Sequence, residues 1–440
     1  MGGCLAMVYV TGVTCPAWTE FFRSIGATEL HFGLLGGIPM AALLFQFVGA
    51  VVANRVSRRA PLFIAGLIAS RALCIPIVLI PLCVPKADIH LVMSVVLILI
   101  ALRGALTHVA GPLWFSWMAD LVPHRVLNRY WGSRQAWMTA TWAACYLGVA
   151  VYTELAPENI RMAYPPLVML AVAAGIIDVL LFCRVDEPPN HTARDLPIRK
   201  TLLAPLRDRQ YRVFVLYSCF YMAGMMFAAA FMQLYCLKVL GLPLWQVILI
   251  WCVSGVGNAV AARFWGRIAD RHGHRPVMAI CAFFKPVVLV VFLLVSPHNA
   301  IWILPPVFFL DGMWNSGNAI ASNGFVMKIA PRRNRSMFIA AFTGLAGLSG
   351  GLAAMLGGVF LESLNGIEVE VPGRTWGNYH LLLAVAFVLR VLNAVFVHRL
   401  HEPTSSRPVR VLNDIRGVWP LRFLRFPVGM YRRWTGAGEA

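Results

Sequence analysis

The sequence predicts an all-α polytopic membrane protein with twelve transmembrane helices in two pseudo-symmetric six-helix bundles. Hydrophobic residues make up 59% of the 440 residues and charged residues only 13%, whereas soluble domains hold about half apolar and a quarter charged residues. Apolar stretches of about 20 residues, each long enough to cross a ~30 Å hydrocarbon layer as a helix, recur along the chain. A ten-residue polar segment also occurs twice, half a chain apart.

The apolar stretches place the twelve helices in order along the chain. The predicted spans are residues 1–19, 33–53, 61–84, 90–118, 135–155, 163–183, 213–237, 244–265, 276–296, 301–327, 337–361 and 378–398. The chain is apolar from Gly2 without a basic leader. We therefore expect the first helix to act as its own insertion signal.

Two internal repeats predict that the halves are equivalent. The polar segment GRIADRHGHR at Gly266–Arg275 has a weaker copy, AVVANRVSRR, at Ala50–Arg59, and each copy lies between two apolar stretches. The fourth and tenth helices also correspond. Both begin Leu-x-Gly and end in Pro, at Leu102–Pro123 and Leu310–Pro331. The offsets are 216 positions for the polar segments and 208 for these helices.

The second polar segment resembles the signature loop of the major facilitator superfamily, Gly-x-(Leu/Ile)-Ala-Asp-Arg-x-Gly-x-Arg. The first copy departs from that pattern at Ala50, Asn54 and Ser57. The run Trp114–Pro123 is similar to a bacterial branch of the family with a Trp-x-x-Trp-x-x-Asp-x-x-Pro loop after helix four. The resemblance implies that helices 1, 4, 7 and 10 surround a central cavity and that the protein transports a solute by alternating access.

The Lys and Arg residues are distributed very unevenly between the two sets of loops. With both termini inside, the inside segments hold 29 of the 38 Lys and Arg residues, and the outside segments hold five. This bias predicts a multi-pass protein of the cytoplasmic (inner) membrane with both termini in the cytoplasm. We interpret the net charge of +19 as topology, with anionic membrane lipids rather than nucleic acid as its partners.

The longest loop between the early and late helices is rich in Pro and charge and divides the chain. The predicted parts are an N-terminal bundle (1–184), a cytoplasmic linker (185–212), a C-terminal bundle (213–398) and a basic cytoplasmic tail (399–440). The tail alternates apolar and Arg residues, so it either lies on the inner leaflet or is a loose positively charged segment. The ten cysteines form no CxxC or Cys/His cluster, and we expect no metal and no cofactor.

Charged residues inside a bilayer are costly and usually face a polar interior. The ionisable residues within the predicted spans are Arg71, Arg103, His108, Asp178, Lys285, Asp311 and Arg390. Arg103 and Asp311 correspond under the 208 offset, have opposite charge and lie mid-helix. If both face the cavity, they bind a zwitterionic or anionic solute, form a bridge that a proton or solute breaks, or only fix helix packing.

Polar and aromatic residues near this pair extend the predicted site. The predicted solute and coupling residues are Arg103, His108, Asp311, Trp314, Asn315, Asn318, Tyr221 and Gln233. Three of them follow Asp311 at i+3, i+4 and i+7, on one helical stripe. His108 is either a proton relay or a hydrogen-bonded packing residue. Aromatic faces beside amide and hydroxyl groups suit a polar organic solute, but they also populate ordinary helix interfaces.

The two polar segments supply the predicted gate. The gating residues are Asn54, Arg55, Arg59, Gly266, Asp270, Arg271, Gly273 and Arg275. We expect Asp270 to bond the N-terminus of a neighbouring helix and to pair with Arg271 or Arg275, which latches the cytoplasmic side. Gly266 is expected to permit close helix approach and Gly273 a tight loop. Because Asn54 lacks the charge, we expect a weaker latch in the first half. The alternative is that both loops only anchor topology.

These features predict a secondary active transporter that moves a small polar organic solute. We expect ion-coupled uptake, with a proton as the coupling ion, by a monomer. Two alternatives stay open: an exporter of the same architecture, or a transporter-like sensor or scaffold that moves no solute. We expect no enzyme, because the sequence shows no compact His/Asp or Ser/His cluster at one interface. It also shows no Gly-rich nucleotide loop for ATP drive.

Overall fold

The predicted all-α fold is confirmed in the computed structural model. It describes residues 2–84, 88–121, 127–155, 159–189, 205, 207–330, 335–371, 374–402 and 405–416. Within these residues the chain forms twelve spanning helices in two six-helix bundles.

Each observed helix overlaps one predicted span. The first bundle contains α1 (Gly2–Thr14 and Pro16–Ser24), α2 (Glu29–Ala41, Ala42–Leu44 and Phe45–Arg55), α3 (Ala60–Ala72 and Cys74–Cys83), α4 (Ile89–Leu121), α5 (Leu127–Leu155) and α6 (Ile160–Leu180 and Leu181–Arg184). The second bundle contains α7 (Arg209–Leu234 and Tyr235–Val239), α8 (Leu244–His272), α9 (His274–Leu294), α10 (Ala300–Ile329), α11 (Arg335–Ser363) and α12 (Asn378–Phe396 and Val397–Arg399).

The first helix continues to Ser24, beyond its predicted span, and is interrupted at Cys15. Pro16 has no N–H, so it leaves the carbonyl of Gly12 without its helical donor. The hydroxyl of Tyr164 on α6 donates to that carbonyl at 2.7 Å. Nine of the described helices are long and apolar enough to cross a membrane by length and composition alone. α1 falls outside this set because the interruption leaves two short segments.

The two bundles repeat the same internal packing. In the first bundle α1 packs on α5 and α6, α2 packs on α4, and α3 packs on α4 and α6. In the second bundle α7 packs on α11 and α12, α8 packs on α10, and α9 packs on α10 and α12. Between the bundles, α2 packs on α11 and α5 packs on α8. Exchanging the two halves converts each of these two contacts into the other, so they obey the pseudo-twofold axis.

The hydrophobic core is continuous at one end of the molecule and divided at the other. We call the end that carries residues 25–28 and 240–243 the upper end, and the end that carries residues 56–59 and 273 the lower end. At the upper end, one cluster joins both bundles and includes Phe22 and Phe231. At the lower end, one cluster around Trp117 belongs to the first bundle and another around Phe325 belongs to the second. The buried cores are thus joined above and separate below, where Phe47 of α2 packs against the lower core of the second bundle.

Two polar contacts between the bundles lie at the upper end, and further down Thr343 of α11 donates to Gln46 of α2 at 2.8 Å. Glu29 of α2 pairs with Lys238 of α7 at 2.7 Å. The amide of Leu30 donates to the carboxylate of Glu362 on α11 at 2.9 Å. Among the described residues, no salt bridge joins the bundles at the lower end. This arrangement is that of a molecule closed above.

Glycines hold α2 and α11 in backbone contact along this seam. A Cβ atom on Gly37 would lie 2.6 Å from the carbonyl oxygen of Gly351, and a Cβ on Gly351 would lie 2.6 Å from that of Gly37. One turn higher, Gly33 faces Gly358 in the same way. Small residues at these positions permit this approach.

Two elements were not predicted. A short antiparallel hairpin of β1 (Val369–Val371) and β2 (Arg374–Trp376) follows α11. In the tail, α13 (Pro408–Arg416) packs against α9, with Val411 fully buried in the lower core of the second bundle. The first part of the tail is therefore a docked helix rather than a loose segment. Residues 417–440, which include most of the alternating apolar and Arg pattern, lie outside the described residues.

We expect Gly351→Ala to destabilise the purified protein, because the new methyl group would force α2 and α11 apart. Overpacking of this kind costs about 1–3 kcal/mol, so thermal unfolding in detergent should occur at lower temperature. Gly66→Ala is the matched control, since its Cβ would meet none of the described atoms within 4 Å, and alanine favours helix. Equal Tm values for the two variants would contradict tight packing at the seam.

Candidate functional site

An ion pair lies inside the second bundle, between α9 and α10. Lys285 Nζ is 2.5 Å from Asp311 Oδ1, and Asn315 Nδ2 donates to the other carboxylate oxygen at 2.9 Å. The side chain of Lys285 is 1% exposed and that of Asp311 is 15% exposed. The carboxylate is therefore the member of the pair that solvent can reach.

A third charge, Arg390 of α12, lies beside this pair. Its Nε donates to the carbonyl of Gly224 on α7 at 3.3 Å, and the residue is buried. A small recess is lined by Tyr221, Met225, Ala282, Lys285, Arg390 and Asn393. We call Lys285, Asp311 and Arg390 the second-bundle cluster. It holds two cations and one carboxylate around a small polar recess.

The first bundle holds a similar set of charges. Arg71 of α3 pairs with Asp178 of α6 at 3.0 Å. Arg103 of α4 donates from Nε to the hydroxyl of Tyr9 on α1 at 3.1 Å. The guanidinium carbons of Arg71 and Arg103 lie 5.1 and 5.8 Å from the centre of the Tyr9 ring, which is cation–π distance. We call Arg71, Arg103 and Asp178 the first-bundle cluster.

The structure does not form the proposed bridge between Arg103 and Asp311. Arg103 bonds Tyr9 within the first bundle, whereas Asp311 bonds Lys285 within the second. In the described residues the two therefore have separate partners in this conformation. Residues that are equivalent under the repeat occupy the same place in their own bundles. Asp311 therefore pairs with a cation from a neighbouring helix of its own bundle. A role for either residue in transport stays a prediction.

The other predicted solute residues occupy three different settings. Trp314 stacks on Phe284 of α9, with ring centres 5.5 Å apart, and buried Asn318 lies 3.4 Å from the hydroxyl of Tyr217. Gln233 accepts a hydrogen bond from Thr19 of α1 at 2.5 Å. Gln233 therefore belongs to the contact between the bundles. Trp314 and Asn318 lie with Asp311 on α10, as the spacing predicted.

His108 lies on α4, away from the second-bundle cluster. Its ring lies close to the backbone of Pro39 on α2. That residue is a proline inside a helix, and a 3₁₀ turn follows it at Ala42–Leu44. The observed contact is the packing alternative weighed for this histidine. A proton-relay role is untested.

At the lower end of the second bundle, Glu402 holds the start of α9. One of its carboxylate oxygens accepts the amides of His274 and Arg275 at 3.0 and 2.8 Å. The other oxygen lies 2.9 Å from Lys328 Nζ on α10. A carboxylate at a helix N-terminus satisfies unpaired N–H groups and complements the helix dipole. Glu402 therefore joins the end of α12 to the start of α9 and to the end of α10.

At the lower end of the first bundle, Arg59 joins several helices, as Glu402 does in the second bundle. Its side chain is fully buried and lies 2.6 Å from Asp120 Oδ2 on α4. Its backbone amide donates to Glu187, which follows α6. Trp117 Nε1 also donates to the carbonyl of Asp186 at 3.2 Å. The Trp-x-x-Trp-x-x-Asp run therefore connects α4 to the segment after α6. The first polar segment is tied to α4 and to the segment after α6 by Arg59, and the weaker latch expected from Asn54 stays a prediction.

The remaining predicted gating residues are placed as follows. Gly273 has φ 91° and separates α8 from α9, which confirms the tight loop. Gly266 has open space around it within the described residues, so the expected close helix approach is not formed there in this conformation. Arg275 donates to the carbonyl of His398 at 3.2 Å and forms no ion pair with Asp270 in the described residues. Arg55, Asp270 and Arg271 are exposed.

The expected capping contact of Asp270 falls partly on residues outside the described part of the chain. The helix α11 begins at Arg335, and residues 331–334 before it lie outside the described residues. The side chain of Asn54 also lies outside them. The latch role of both residues stays a prediction.

A sequence signal for Glu187 and Glu402 was present and missed. Arg184-Val-Asp-Glu187-Pro188 follows the sixth span, and Arg399-Leu-His-Glu402-Pro403 follows the twelfth, at an offset of 215. A repeated Arg-x-x-Glu-Pro after the last helix of each half predicts an equivalent capping carboxylate. The partners of Lys285 and Arg390 had no such signal, because the pairing depends on how three helices are rotated.

Comparison with solved structures shows the same fold elsewhere. A point mutant of the nucleoside transporter NupG matches with a TM-score of 0.70, 12% identity, and coverage of 91% of this chain and 99% of its own. A bacterial homologue of the human lysosomal transporter Spinster, in an inward-facing and occupied conformation, matches with a TM-score of 0.67, 13% identity, and coverage of 92% and 97%. A D-xylose–proton symporter matches with a TM-score of 0.65, 16% identity, and coverage of 92% and 96%.

Identities this low show the shared fold alone. No curated protein matches the sequence significantly. The sequence profile of the Major Facilitator Superfamily matches residues 1–263 and 252–426, which together cover nearly the whole chain. The family and these structural neighbours are transporters and not enzymes. This chain is a multi-pass membrane protein that belongs to the Major Facilitator Superfamily.

Proposed function

We propose that this protein takes up a small polar organic solute across the cytoplasmic membrane by alternating access, with a proton as the coupling ion. The observation that carries the proposal is the buried Lys285–Asp311 pair, whose carboxylate alone is open to solvent. A charge pair inside a membrane is energetically costly, and ionisable residues kept there usually belong to a transport or proton pathway. A nucleoside transporter and a D-xylose–proton symporter share the fold.

The orientation of the chain is part of this proposal. The positive-inside rule favours a cytoplasmic lower end, since 29 Lys and Arg residues lie in the loops assigned to that side and five in the others. Both termini are then cytoplasmic, and anionic lipid headgroups are neighbours of the lower end. We propose a functional monomer divided at residues 184 and 213, with the linker between them on the cytoplasmic side.

Alternating access is supported by how the bundles touch. Apolar packing and the Glu29–Lys238 pair join them at the upper end, whereas their lower cores are separate. Rocking about the glycine seam of α2 and α11 would close the lower end and open the upper one. The conformation observed is then open to the cytoplasm, the state that releases a solute taken up from outside.

Proton coupling would act through Asp311. Protonation removes the negative charge that neutralises Lys285 and converts the carboxylate from an acceptor of two donors to a group with its own O–H. The 2.5 Å contact with Lys285 then loses its Coulombic attraction. Because the pair joins α9 to α10, its loss changes how these helices pack. A proton can in this way bias the equilibrium between the two open states.

We expect Asp311→Asn to abolish proton-driven uptake in proteoliposomes, because the amide cannot exchange a proton. Lys285 would remain buried without a counter-charge, at a cost of about 3–5 kcal/mol. Uptake should be screened against sugars, nucleosides, amino acids and carboxylates, with and without an inward pH gradient. Glu154→Gln is the control, since Glu154 is exposed at the end of α5. Uptake at the wild-type rate by Asp311→Asn would remove Asp311 from the mechanism.

The double variant Lys285→Asp with Asp311→Lys separates coupling from packing. A purely structural pair should tolerate the exchange and regain transport together with its thermal stability. A coupling pair needs the carboxylate at the solvent-accessible position on α10, so we expect stability to recover and transport to stay lost. Recovery of both would assign the pair to packing.

We expect Asp270→Asn to reduce the population that is closed at the lower end, more than Asn54→Asp changes it. The physical reason is loss of a carboxylate that would bond a helix N-terminus in the closed state. Spin labels on Arg58→Cys and Arg263→Cys, both exposed and in different bundles, would report the lower-end distance. The labels require a cysteine-free background that still transports. Identical distance distributions in the parent and both variants would remove the gating role.

A further inference from the structure

The two charged clusters are built from equivalent helices, but the carboxylate and one arginine have exchanged places between the fourth and the sixth helix. Arg71 and Lys285 are cations on the third helix of each half. On the fourth helix, Arg103 in the first half corresponds to Asp311 in the second. On the sixth helix, the order is reversed, with Asp178 in the first half and Arg390 in the second.

Each cluster has one cation that its carboxylate does not neutralise. Asp178 pairs with Arg71 at 3.0 Å and Asp311 pairs with Lys285 at 2.5 Å. Arg103 and Arg390 form no ion pair in the described part of the chain. Arg103 bonds a tyrosine hydroxyl and Arg390 a backbone carbonyl. The two clusters therefore hold four cations and two carboxylates, with one positive charge in excess in each half.

An arginine in a membrane interior is stabilised far better by an anion than by a neutral acceptor. Arg390 and Lys285 both line the recess, so an anion held there would lie close to two cations. The neutral lining is also suited to a small polar ligand, because Asn393 and Tyr221 supply an amide and a phenol. Two cations, an amide and a phenol around one recess are the groups that recognise a carboxylate, sulfate or phosphate ester.

The position of Lys285 connects such a ligand to the proton. With Asp311 ionised, the second-bundle cluster has a charge of one positive unit. Protonation of Asp311 raises it to two, because Lys285 loses its counter-charge while Arg390 stays charged. An anion bound at the recess returns it to one. Proton and anion thus favour each other's binding by reciprocal linkage, and the cluster has the same charge when empty as when loaded with one proton and one monoanion.

We propose that the transported solute is a small organic anion and that Arg390 and Lys285 bind its acidic group when Asp311 is protonated. Arg103, with Tyr9, supplies a second fixed positive charge in the opposite bundle. This inference rests on the proposed transport function and names its substrate class. It makes uptake a proton–anion symport in which a monoanion crosses without net charge.

Binding can be tested without transport. The probes are gluconate, glucuronate, lactate and glucose 6-phosphate, with glucose and glycerol as neutral counterparts, and the readout is the Tm of the purified protein in detergent. We expect at least one anion, and neither neutral compound, to raise the Tm. A bound ligand at about 100 times its Kd stabilises by about 2.7 kcal/mol, enough for a shift of a few degrees.

Variants identify the residues. Arg390→Gln keeps a donor for the Gly224 carbonyl but removes the charge, and it should weaken anion binding by about 10-fold or more, as expected for a lost charged hydrogen bond. Arg390→Lys should retain part of the affinity, whereas Arg263→Gln, an exposed change of equal charge, should retain all of it. Arg103→Gln tests the opposite bundle in the same assay.

Three results would overturn the proposal: no stabilisation by any of the anions, equal stabilisation by a neutral counterpart, or unchanged affinity in Arg390→Gln. To test whether the recess binds a lipid headgroup instead, the Tm is measured with added phosphatidylglycerol and compared with that in phosphatidylcholine. Stabilisation by the anionic lipid alone would assign the recess to a headgroup and end the solute claim. Anion binding without proteoliposome uptake would contradict the proposed transport function instead, and proton-driven uptake of a neutral solute would contradict only the substrate class.

Discussion

The need to neutralise charge in a low-dielectric layer governs the interior of this protein. Two ion pairs, Arg71–Asp178 and Lys285–Asp311, each join the third helix of a half to a neighbour, and both are largely shielded from solvent. Breaking a buried pair costs far more than breaking an exposed one. The pairs therefore restrict how these helices can rotate within each bundle, and the recess at Arg390 depends on the arrangement they fix.

Between the bundles a different constraint operates. The contact of α2 with α11 depends on glycines whose backbones meet directly, and one buried apolar cluster joins the halves at the upper end of the described structure. Below, Arg59 and Glu402 tie the helices of each bundle to one another rather than across the interface. Each half is therefore braced internally at the end where the halves are apart, which is what a rigid-body rocking motion needs.

The sequence predicted the twelve helices well because bilayer thickness and backbone hydrogen bonding leave few choices for an apolar stretch. It predicted equivalent halves because GRIADRHGHR and its weaker copy survive as a repeat. Partners of buried charges were harder. The Arg103–Asp311 bridge followed from equivalence, yet Lys285 lies closer to Asp311 through packing of α9 on α10 that no spacing reveals. The roles of Glu187 and Glu402 could have been predicted from the repeated Arg-x-x-Glu-Pro pattern, whereas no sequence pattern predicts the open space around Gly266.

The exchange of charge between equivalent helices gives the halves different capacities. In the first bundle the carboxylate lies on α6, and its side chain is 6% exposed. In the second it lies on α10 and is 15% exposed. If water reaches only the second, only that half exchanges protons, while the first contributes a fixed positive charge at Arg103. A duplicated scaffold can thus divide its work by moving one carboxylate from the sixth helix to the fourth, without changing the helix packing that both halves share.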